Sequence, residues 1–169
     1  AVWNTGSQGT NSWTSASGGL TKHFYAYERS SNTGKICSSG DYCNDTVERT
    51  TTWTGKVGLM YLSDYGYATS GGSTTDRTTC LNINLGSWSS SSVSDCKNND
   101  WLLSSTQWTL SPVAYSSAAS DAFIVYSGGY SPDLYAYLDY GVRPVVYLTS
   151  NVKISGGEGT SESPFELSL

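Results

Sequence analysis

The residues best suited to chemistry in this chain are tyrosines concentrated in one polar segment. Residues 113–140 read VAYSSAASDAFIVYSGGYSPDLYAYLDY and hold six of the 13 tyrosines among Ser, Ala, Gly and Asp. Tyrosine offers a large amphipathic contact area with few rotatable bonds to order, while Ser, Gly and Asp supply adaptable hydrogen bonds. The chemistry that this composition predicts is noncovalent recognition rather than catalysis.

A compositional bias extends beyond this segment. Residues 109–152 contain no Lys, Glu, Gln, Met or Trp, whereas the other 125 residues hold 19 of them, so about seven would be expected here by composition alone. We interpret residues 109–152 as a ligand-binding segment whose side chains come from a restricted set.

Ten residues of this segment form the predicted contact face. They are Tyr115, Ser117, Ser120, Tyr126, Tyr130, Ser131, Asp133, Tyr135, Tyr137 and Tyr140. The alternative for two or three of the tyrosines is packing over the edge of the core with only the hydroxyl in water. Strand alternation places Phe123 and Val125 on the face opposite Tyr126. Backbone geometry explains Gly128 and Gly129, and Arg143 is predicted to anchor the closing strand by bonding a buried carbonyl or carboxylate.

Catalytic and metal sites are not expected. A nucleophile needs a proton acceptor near Ser or Cys, and the one histidine, His23, lies in HFYAY without suggestive neighbours. The aspartates are scattered, and the zinc-type spacing CxxC does not occur. We therefore predict no enzymatic activity, no cofactor and no metal, with a structural role for His23.

The four cysteines predict disulfides and an oxidising compartment. Abundant Ser, Thr, Asn, Gly and aromatic residues, with one histidine and one methionine, are typical of exported proteins whose thiols pair. Of the three possible pairings we favour Cys37 with Cys43 and Cys80 with Cys96, because each pair closes a local polar loop. The sequence alone leaves the connectivity open.

Length and charge set the class of protein. A chain of 169 residues fits one domain, residues 1–169, with residues 1–20 as an irregular lead-in. Charged residues make up 14% and the net charge is −5, so a basic footprint for nucleic acid is missing. No apolar run approaches the roughly 18 residues that span a bilayer, so direct membrane insertion is not expected. The chain opens on polar AVWNTGSQGTNSW, so we expect an export segment to have been removed or to lie outside it.

The pattern of residues predicts an α+β fold, rich in strands and loops, with one or two short helices. The predicted strands are His23–Arg29, Lys56–Tyr61, Ala122–Tyr126, Val142–Leu148 and Val152–Ile154, the last turning through Gly156–Gly159 into Phe165–Leu167. A helix is expected to start at Ser63 as N-cap, with Asp64 in its first turn. A second helical turn is expected from Cys80 towards Leu85. Residues 69–79 and 88–94 are predicted to be exposed loops.

Four motifs occur in a recognisable order: LMYLSDYGYATSGG at 59–72, NDWLLSSTQWTLSP at 99–112, AFIVYSGGYS at 122–131 and YGVRPVVYL at 140–148. They resemble the C-type lectin-like fold in its sulfatase-modifying-factor branch. There a helix opens after a Leu-Pro-Thr-like turn, a Trp-rich strand follows, and an Arg-Gly-Gly-Ser-Trp strand precedes a closing Gly-Phe-Arg strand. The corresponding positions here are Leu62-Ser63-Asp64, Trp101 and Trp108, Ser127-Gly128-Gly129-Tyr130, and Gly141-Val142-Arg143-Pro144. The resemblance implies a C-type lectin-like domain, to which the cysteine content adds the predicted disulfides. It does not carry over the oxidase activity of that branch, because residues 97–169 contain no cysteine.

The chain is also similar to exported proteins of Gram-positive bacteria that carry a pilin-like N-terminal helix. They end in a domain with SDYGYATSGG, WTLSP and GVRPVVYL, followed by a Gly-rich VKISGGEGT tail. This resemblance implies an extracellular location, at the cell surface or associated with a pilus. The hydrophobic pilin helix is not part of this sequence.

The same fold hosts the variable proteins of diversity-generating retroelements, in which adenines of a C-terminal coding segment are randomised. Randomising the first two positions of an AAC-type codon never yields Lys, Glu, Gln, Met or Trp, the five residues missing from 109–152. A Tyr- and Ser-rich lectin-like loop without such a history would look the same, so both origins stay open. Either origin predicts a binding surface.

We therefore predict an extracellular, adhesin- or receptor-like domain that binds an external protein or glycan. One alternative is a structural subunit of a surface filament or pilus, which would self-associate through the Tyr-rich segment. Another is a calcium-dependent lectin, because Asn98-Asn99-Asp100-Trp101 resembles the Trp-Asn-Asp of sugar-binding lectins. The order of residues differs and no companion Glu-Pro-Asn is present, so Asn-rich turn chemistry is favoured over calcium.

Overall fold

The computed structural model describes residues 2–4, 19–29, 52–97, 105–112, 121–129 and 133–169, with the backbone alone at 2–4, 26, 27, 112 and 133. Within these ranges the chain is a mixed α/β structure with few helices and several small sheets. The broad prediction of an α+β chain with strands and few, short helices is confirmed, but the described residues hold three α-helices rather than the one or two predicted.

The helices are short and precede most of the strands. The α-helices are α1 Thr21–Arg29, α2 Leu62–Tyr67 and α3 Arg77–Leu81, followed by 3-10 helices at Leu85–Ser89 and Ser91–Lys97. The strands are β1 Val2–Asn4, β2 Thr52–Thr54, β3 Gly58–Leu59, β4 Gln107–Pro112, β5 Asp121–Val125, β6 Asp133–Tyr135, β7 Gly141–Val142, β8 Pro144–Val145, β9 Lys153–Gly156 and β10 Glu166–Ser168.

The largest described sheet has four strands in the order β6-β5-β4-β7. Strand β5 pairs antiparallel with both β4 and β6, and β7 joins the other edge of β4 in parallel. The register shifts between Trp108 and Pro112, so β4 carries an irregularity opposite Ala122. Three two-stranded antiparallel pairs complete the described sheets: β1 with β2, β3 with β8, and β9 with β10.

Helix α1 corrects the predicted strand His23–Arg29. Three of its buried positions, Thr21, Phe24 and Glu28, are spaced by three and four residues, which is the period of a helix face. The Phe24 ring meets the Phe123 ring of β5 edge to face, with centroids 5.1 Å apart. The helix forms because this stripe packs on the sheet, although two of its three positions are polar.

Helix α2 confirms the predicted helix but not its cap. The helix begins at Leu62 with Tyr61 as the N-cap residue, so Ser63 is a buried helical residue rather than the cap. The Asp64 carboxylate accepts the Tyr61 backbone N–H at 2.9 Å. This bond satisfies a backbone donor that has no partner within the helix. Gly66 lets α1 approach, because a Cβ there would lie 2.4 Å from Thr21 Oγ1.

The region 85–97 corrects the prediction that residues 88–94 form an exposed loop. Two 3-10 helices replace the loop, and Trp88 is fully buried. The Trp88 ring lies 5.7 Å from the Tyr65 ring of α2, so Trp88 packs in the core while the serines at 89–92 stay exposed. The expected helical turn from Cys80 towards Leu85 is met in part: Cys80 lies in α3 and Leu85 begins the first 3-10 helix, but residues 82–84 between them are not helical.

One predicted disulfide is present and the other lies outside the described residues. Cys80 of α3 is bonded to Cys96 in the second 3-10 helix, and both are buried. This confirms the favoured partner for Cys80. The pairing of Cys37 with Cys43 concerns residues outside the described ranges.

The remaining strand predictions are met in part. Ala122–Tyr126 corresponds closely to β5, and the C-terminal hairpin forms as β9 and β10. Val142–Leu148 is interrupted into β7 and β8, and only Gly58–Leu59 of Lys56–Tyr61 is a strand. Among the described helices, none has the length and apolar character to cross a membrane.

Candidate functional site

Strand β5 is the buried part of the Tyr-rich segment. Phe123, Ile124 and Val125 are each buried, so both faces of the strand are covered. The predicted alternation assigned one face to the core, whereas the structure buries both. Thr109 of β4 donates its hydroxyl to the Phe123 carbonyl at 2.7 Å, which adds a side-chain link to the strand ladder.

A tight turn follows β5 and is fixed at several points. The Gly129 N–H donates to the Tyr126 carbonyl at 2.8 Å, and the Ser127 N–H donates to Thr106 Oγ1 at 3.3 Å. The buried Tyr65 hydroxyl donates to the Gly129 carbonyl at 3.0 Å. Gly129 has a φ of 79°, a conformation that favours glycine, as the sequence predicted. Tyr126 is therefore presented on a fixed turn with 38% of its surface exposed.

Two tyrosines at the end of β6 form a stacked pair. The Tyr135 and Tyr137 rings are nearly parallel, with an interplanar angle of 11° and centroids 5.3 Å apart. The turn that brings them together is closed by the Leu138 N–H, which donates to the Tyr135 carbonyl at 3.1 Å. Tyr135 is 48% exposed and Tyr137 is 75% exposed, so the pair stands out from the sheet into solvent.

Tyr140 has a packing role. Its ring lies 5.3 Å from the Trp108 ring of β4 at an angle of 60°, and the residue is only partly exposed. This is the arrangement expected for a tyrosine that covers the core edge. Tyr140 matches the alternative prediction for a minority of the tyrosines.

The ten predicted contact residues divide into two groups. The structure describes Tyr126, Tyr135, Tyr137 and Tyr140 with side chains and Asp133 by its backbone. It brings Tyr135 and Tyr137 into contact. The other five lie outside the described residues and their placement stays a prediction: Tyr115, Ser117, Ser120, Tyr130 and Ser131.

Arg143 holds the strand that closes the sheet. Its Nε donates to Oε1 of Gln107 at 3.1 Å, and Gln107 is a buried residue of β4 paired with Gly141. The acceptor is a buried side-chain carbonyl, so the predicted anchoring role fits the structure. Its bond is directed to the scaffold rather than to a ligand.

Sequence analysis missed a buried polar cluster between α1, α2 and β4. Glu28 is almost fully buried, and its Oε1 accepts the Ser111 hydroxyl and, at 3.2 Å, the Ser63 N–H. Arg29 donates to Oε2 of Glu28 at 3.2 Å, to the Ser63 hydroxyl at 2.8 Å and to the Asp64 carboxylate. The sequence offered one signal for this cluster, the adjacent charges Glu28 and Arg29, with Glu28 four positions after the apolar Phe24. That spacing indicates burial only if the segment is first recognised as a helix.

The electrostatics of this cluster follow from burial. Burial raises the pKa of Glu28 from 4.5 to about 7, although the hydrogen bonds from Ser111 and Ser63 and the charge of Arg29 act in the opposite direction. For Arg29, burial lowers the pKa but the Asp64 and Glu28 carboxylates outweigh it and raise the pKa overall. The cluster ties three elements together and holds one carboxyl group that can change charge near neutral pH.

The single histidine is also part of the scaffold. His23 is buried on α1, and its Nδ1 accepts the Leu20 N–H at 3.4 Å at the start of the helix. Burial lowers the pKa of His23, and the nearby Lys22 charge lowers it further. This contact fits the structural role predicted for His23.

Comparison with known proteins gave no assignment: no protein-family model, no characterised protein and no solved structure matched this chain significantly. Within the described ranges, no group of three or more His, Cys, Asp or Glu side chains is placed to hold a metal ion. The stretch 98–101, which carried the calcium hypothesis, lies outside the described residues.

Proposed function

We propose that this chain is an extracellular ligand-binding domain, adhesin-like or receptor-like, with a C-type lectin-like fold. Its Tyr- and Ser-rich segment at residues 113–140 would recognise an external protein or glycan. The scaffold beneath the segment stays constant while exposed side chains make the contacts. Pre-organisation of this kind lowers the ordering cost of binding.

One observation carries the proposal: the exposed stacked pair Tyr135 and Tyr137 rises from a strand whose neighbour β5 is buried on both faces. Aromatic side chains that are exposed side by side form an apolar patch, and such patches often mark interaction sites. Tyrosine is a common anchor of protein interfaces because one rigid ring supplies much of the contact area. The buried strand would supply stability, and the exposed rings beside it would be available for recognition.

The binding test compares the wild-type chain with the double variant Tyr135→Ala/Tyr137→Ala on immobilised panels of extracellular proteins and glycans. We expect reproducible ligands for the wild type and loss of most binding in the variant. Thermal unfolding of both proteins is the control, because the two rings are exposed and their removal should leave the melting temperature nearly unchanged. Equal binding by both proteins would contradict the proposal.

We further propose that the coding region for residues 109–152 is diversified by a retroelement. The missing Lys, Glu, Gln, Met and Trp support this, since adenine-directed randomisation of AAC-type codons cannot produce them. The genomic test looks for codons ending in C across this region, a near-copy repeat and a neighbouring reverse transcriptase gene. A region without the repeat would remove the diversification proposal and leave the binding proposal intact.

The second candidate function is a structural subunit of a surface filament. The C-terminal hairpin favours it, because Ile154, Phe165 and Leu167 are each more than half exposed on a two-stranded unit. Exposed apolar side chains on paired strands are a common basis of self-association. Sedimentation of the whole chain tests this candidate: concentration-dependent assembly that Leu167→Ser abolishes would favour it, and a monomer at all concentrations would exclude it.

A further inference from the structure

The stacked tyrosines leave one aromatic face open. Because Tyr135 covers one side of the Tyr137 ring and 75% of Tyr137 is exposed, its outer side is available to a ligand. An open tyrosine face presents the negative region of the ring quadrupole. Such a face attracts cations, and Arg in particular, when the cation lies within about 6 Å of the ring centroid.

Acidic residues accompany this face. Residues 113–140 contain three aspartates, Asp121, Asp133 and Asp139, and no Lys, Arg, Glu or His. Asp121 lies directly opposite Tyr135 in the β5–β6 pair, so the two side chains project from the same side of the sheet. Asp139 is exposed two residues after Tyr137. Asp121 and Asp139 therefore accompany the aromatic face, in a chain of net charge −5.

The same combination already binds a cation inside this protein. The Arg29 guanidinium lies 4.6 Å from the Tyr25 ring centroid and 4.8 Å from the Tyr61 ring centroid, and it is bonded to the Asp64 carboxylate. Two tyrosine rings and an aspartate thus satisfy a guanidinium within the scaffold. The surface offers a similar set of groups in Tyr135, Tyr137 and the exposed Asp139.

We propose that the Tyr135–Tyr137 pair and its neighbouring aspartates bind a basic segment of a partner protein, with an Arg or Lys side chain against the outer face of Tyr137. This inference rests on the proposed binding function and specifies its ligand class. A neutral glycan would gain from the ring but not from Asp121 and Asp139, and an acidic partner would be repelled. Charge complementarity therefore favours a basic polypeptide over these two ligand classes.

The test is calorimetric titration of the whole chain with three synthetic peptides: an Arg-Gly-Ser repeat, a Glu-Gly-Ser repeat and a Gln-Gly-Ser repeat. A neutral oligosaccharide panel is titrated in parallel. We expect the Arg peptide to bind and the other two peptides not to bind. Affinity for the Arg peptide should fall with added salt, because charges at an exposed surface are screened over about 8 Å at physiological ionic strength.

Variants separate the ring from the charge. Tyr137→Ala should weaken the Arg peptide about two- to fivefold, the range for one exposed cation–π contact. Tyr137→Phe keeps the ring and should retain most of the affinity, whereas Asp139→Asn should reduce both the affinity and its salt dependence. The matched control is Tyr67→Ala, which removes a tyrosine 37% exposed outside the segment and should leave affinity unchanged.

The outcomes distinguish this inference from the proposed function. Equal binding of the Arg and Gln peptides, or an unchanged affinity in Tyr137→Ala, would overturn the basic-segment inference. If the oligosaccharides bind in the wild type and are lost in Tyr137→Ala while the Arg peptide fails, the ligand class is wrong but the recognition surface stands. If the ligands from the protein and glycan panels bind Tyr135→Ala/Tyr137→Ala as well as the wild type, the proposed surface itself is wrong.

Discussion

At the scale of single residues, Glu28 links burial to pH. Its carboxylate is enclosed by donors from three elements, yet burial raises its pKa from 4.5 to about 7. Below pH 4.5 the group is protonated in both the folded and the unfolded chain. Between pH 4.5 and 7 only the unfolded chain ionises, so stability falls as pH rises and the loss is complete above about 7. The full change corresponds to roughly 3 kcal/mol.

We therefore predict a pH-dependent difference between the wild type and Glu28→Gln. Urea unfolding between pH 4 and pH 8 should show the wild-type free energy of unfolding falling by roughly 3 kcal/mol more than that of the variant. Glu158→Gln, which changes an exposed glutamate in the C-terminal hairpin, is the control and should follow the wild type. Parallel curves for wild type and Glu28→Gln would show that Glu28 does not titrate in this range.

Gly129 fixes the turn beside Tyr126. Its φ of 79° disfavours any residue with a Cβ, and a Cβ there would lie 2.4 Å from the Cβ of Lys97. We predict that Gly129→Ala lowers the free energy of unfolding by about 1–3 kcal/mol, measured by urea denaturation. Gly128 has no positive φ, so Gly128→Ala is the matched control and should cost less. Equal losses in the two variants would contradict a conformational requirement at Gly129.

At the scale of elements, the Cys80–Cys96 disulfide joins α3 to the second 3-10 helix across 16 residues. A cross-link that closes a loop of this length restricts the unfolded chain and stabilises the fold by about 3 kcal/mol. We predict that Cys80→Ala/Cys96→Ala loses stability of that order, measured by chemical denaturation under oxidising conditions. A loss of less than about 1 kcal/mol would mean that the buried polar links of this region are sufficient without the cross-link.

The C-terminal hairpin should be less stable than the four-stranded sheet. Strand β10 is exposed throughout and β9 nearly so, and an isolated two-stranded hairpin is marginal in water. Hydrogen exchange of the whole chain should therefore show faster exchange for amides of β9 and β10 than for amides of β5. Protection of the hairpin equal to that of β5 would indicate that it is covered in solution, as in an assembled filament.

Sequence patterns predicted the elements whose apolar residues are regular and missed those whose buried residues are polar. The continuous apolar run of β5 and the Gly-rich turn of the C-terminal hairpin were sufficient for correct predictions. Helix α1 was missed because its buried stripe consists of Thr21, Phe24 and Glu28, so no apolar helical period is visible. Trp88 was placed in a loop because the serines around it outweigh one aromatic residue.

At the scale of the whole molecule, the described structure separates a cross-linked, well-packed scaffold from exposed aromatic side chains. The core joins α1, α2, the 3-10 helices and β5, whereas Tyr126, Tyr135 and Tyr137 lie outside it. Composition was enough to predict exposed tyrosines in this segment. It could not predict the stacking of Tyr135 on Tyr137 or the packing of Tyr140 on Trp108, because those contacts depend on strand register and turn geometry.

The most direct measurement is hydroxyl-radical footprinting of the whole chain, free and bound to a ligand selected on the protein and glycan panels. We predict that ligand protects Tyr126, Tyr135 and Tyr137 from oxidation while Tyr67 stays equally reactive. Protection confined to the C-terminal hairpin, at Phe165 and Leu167, with the segment tyrosines still reactive, would contradict it.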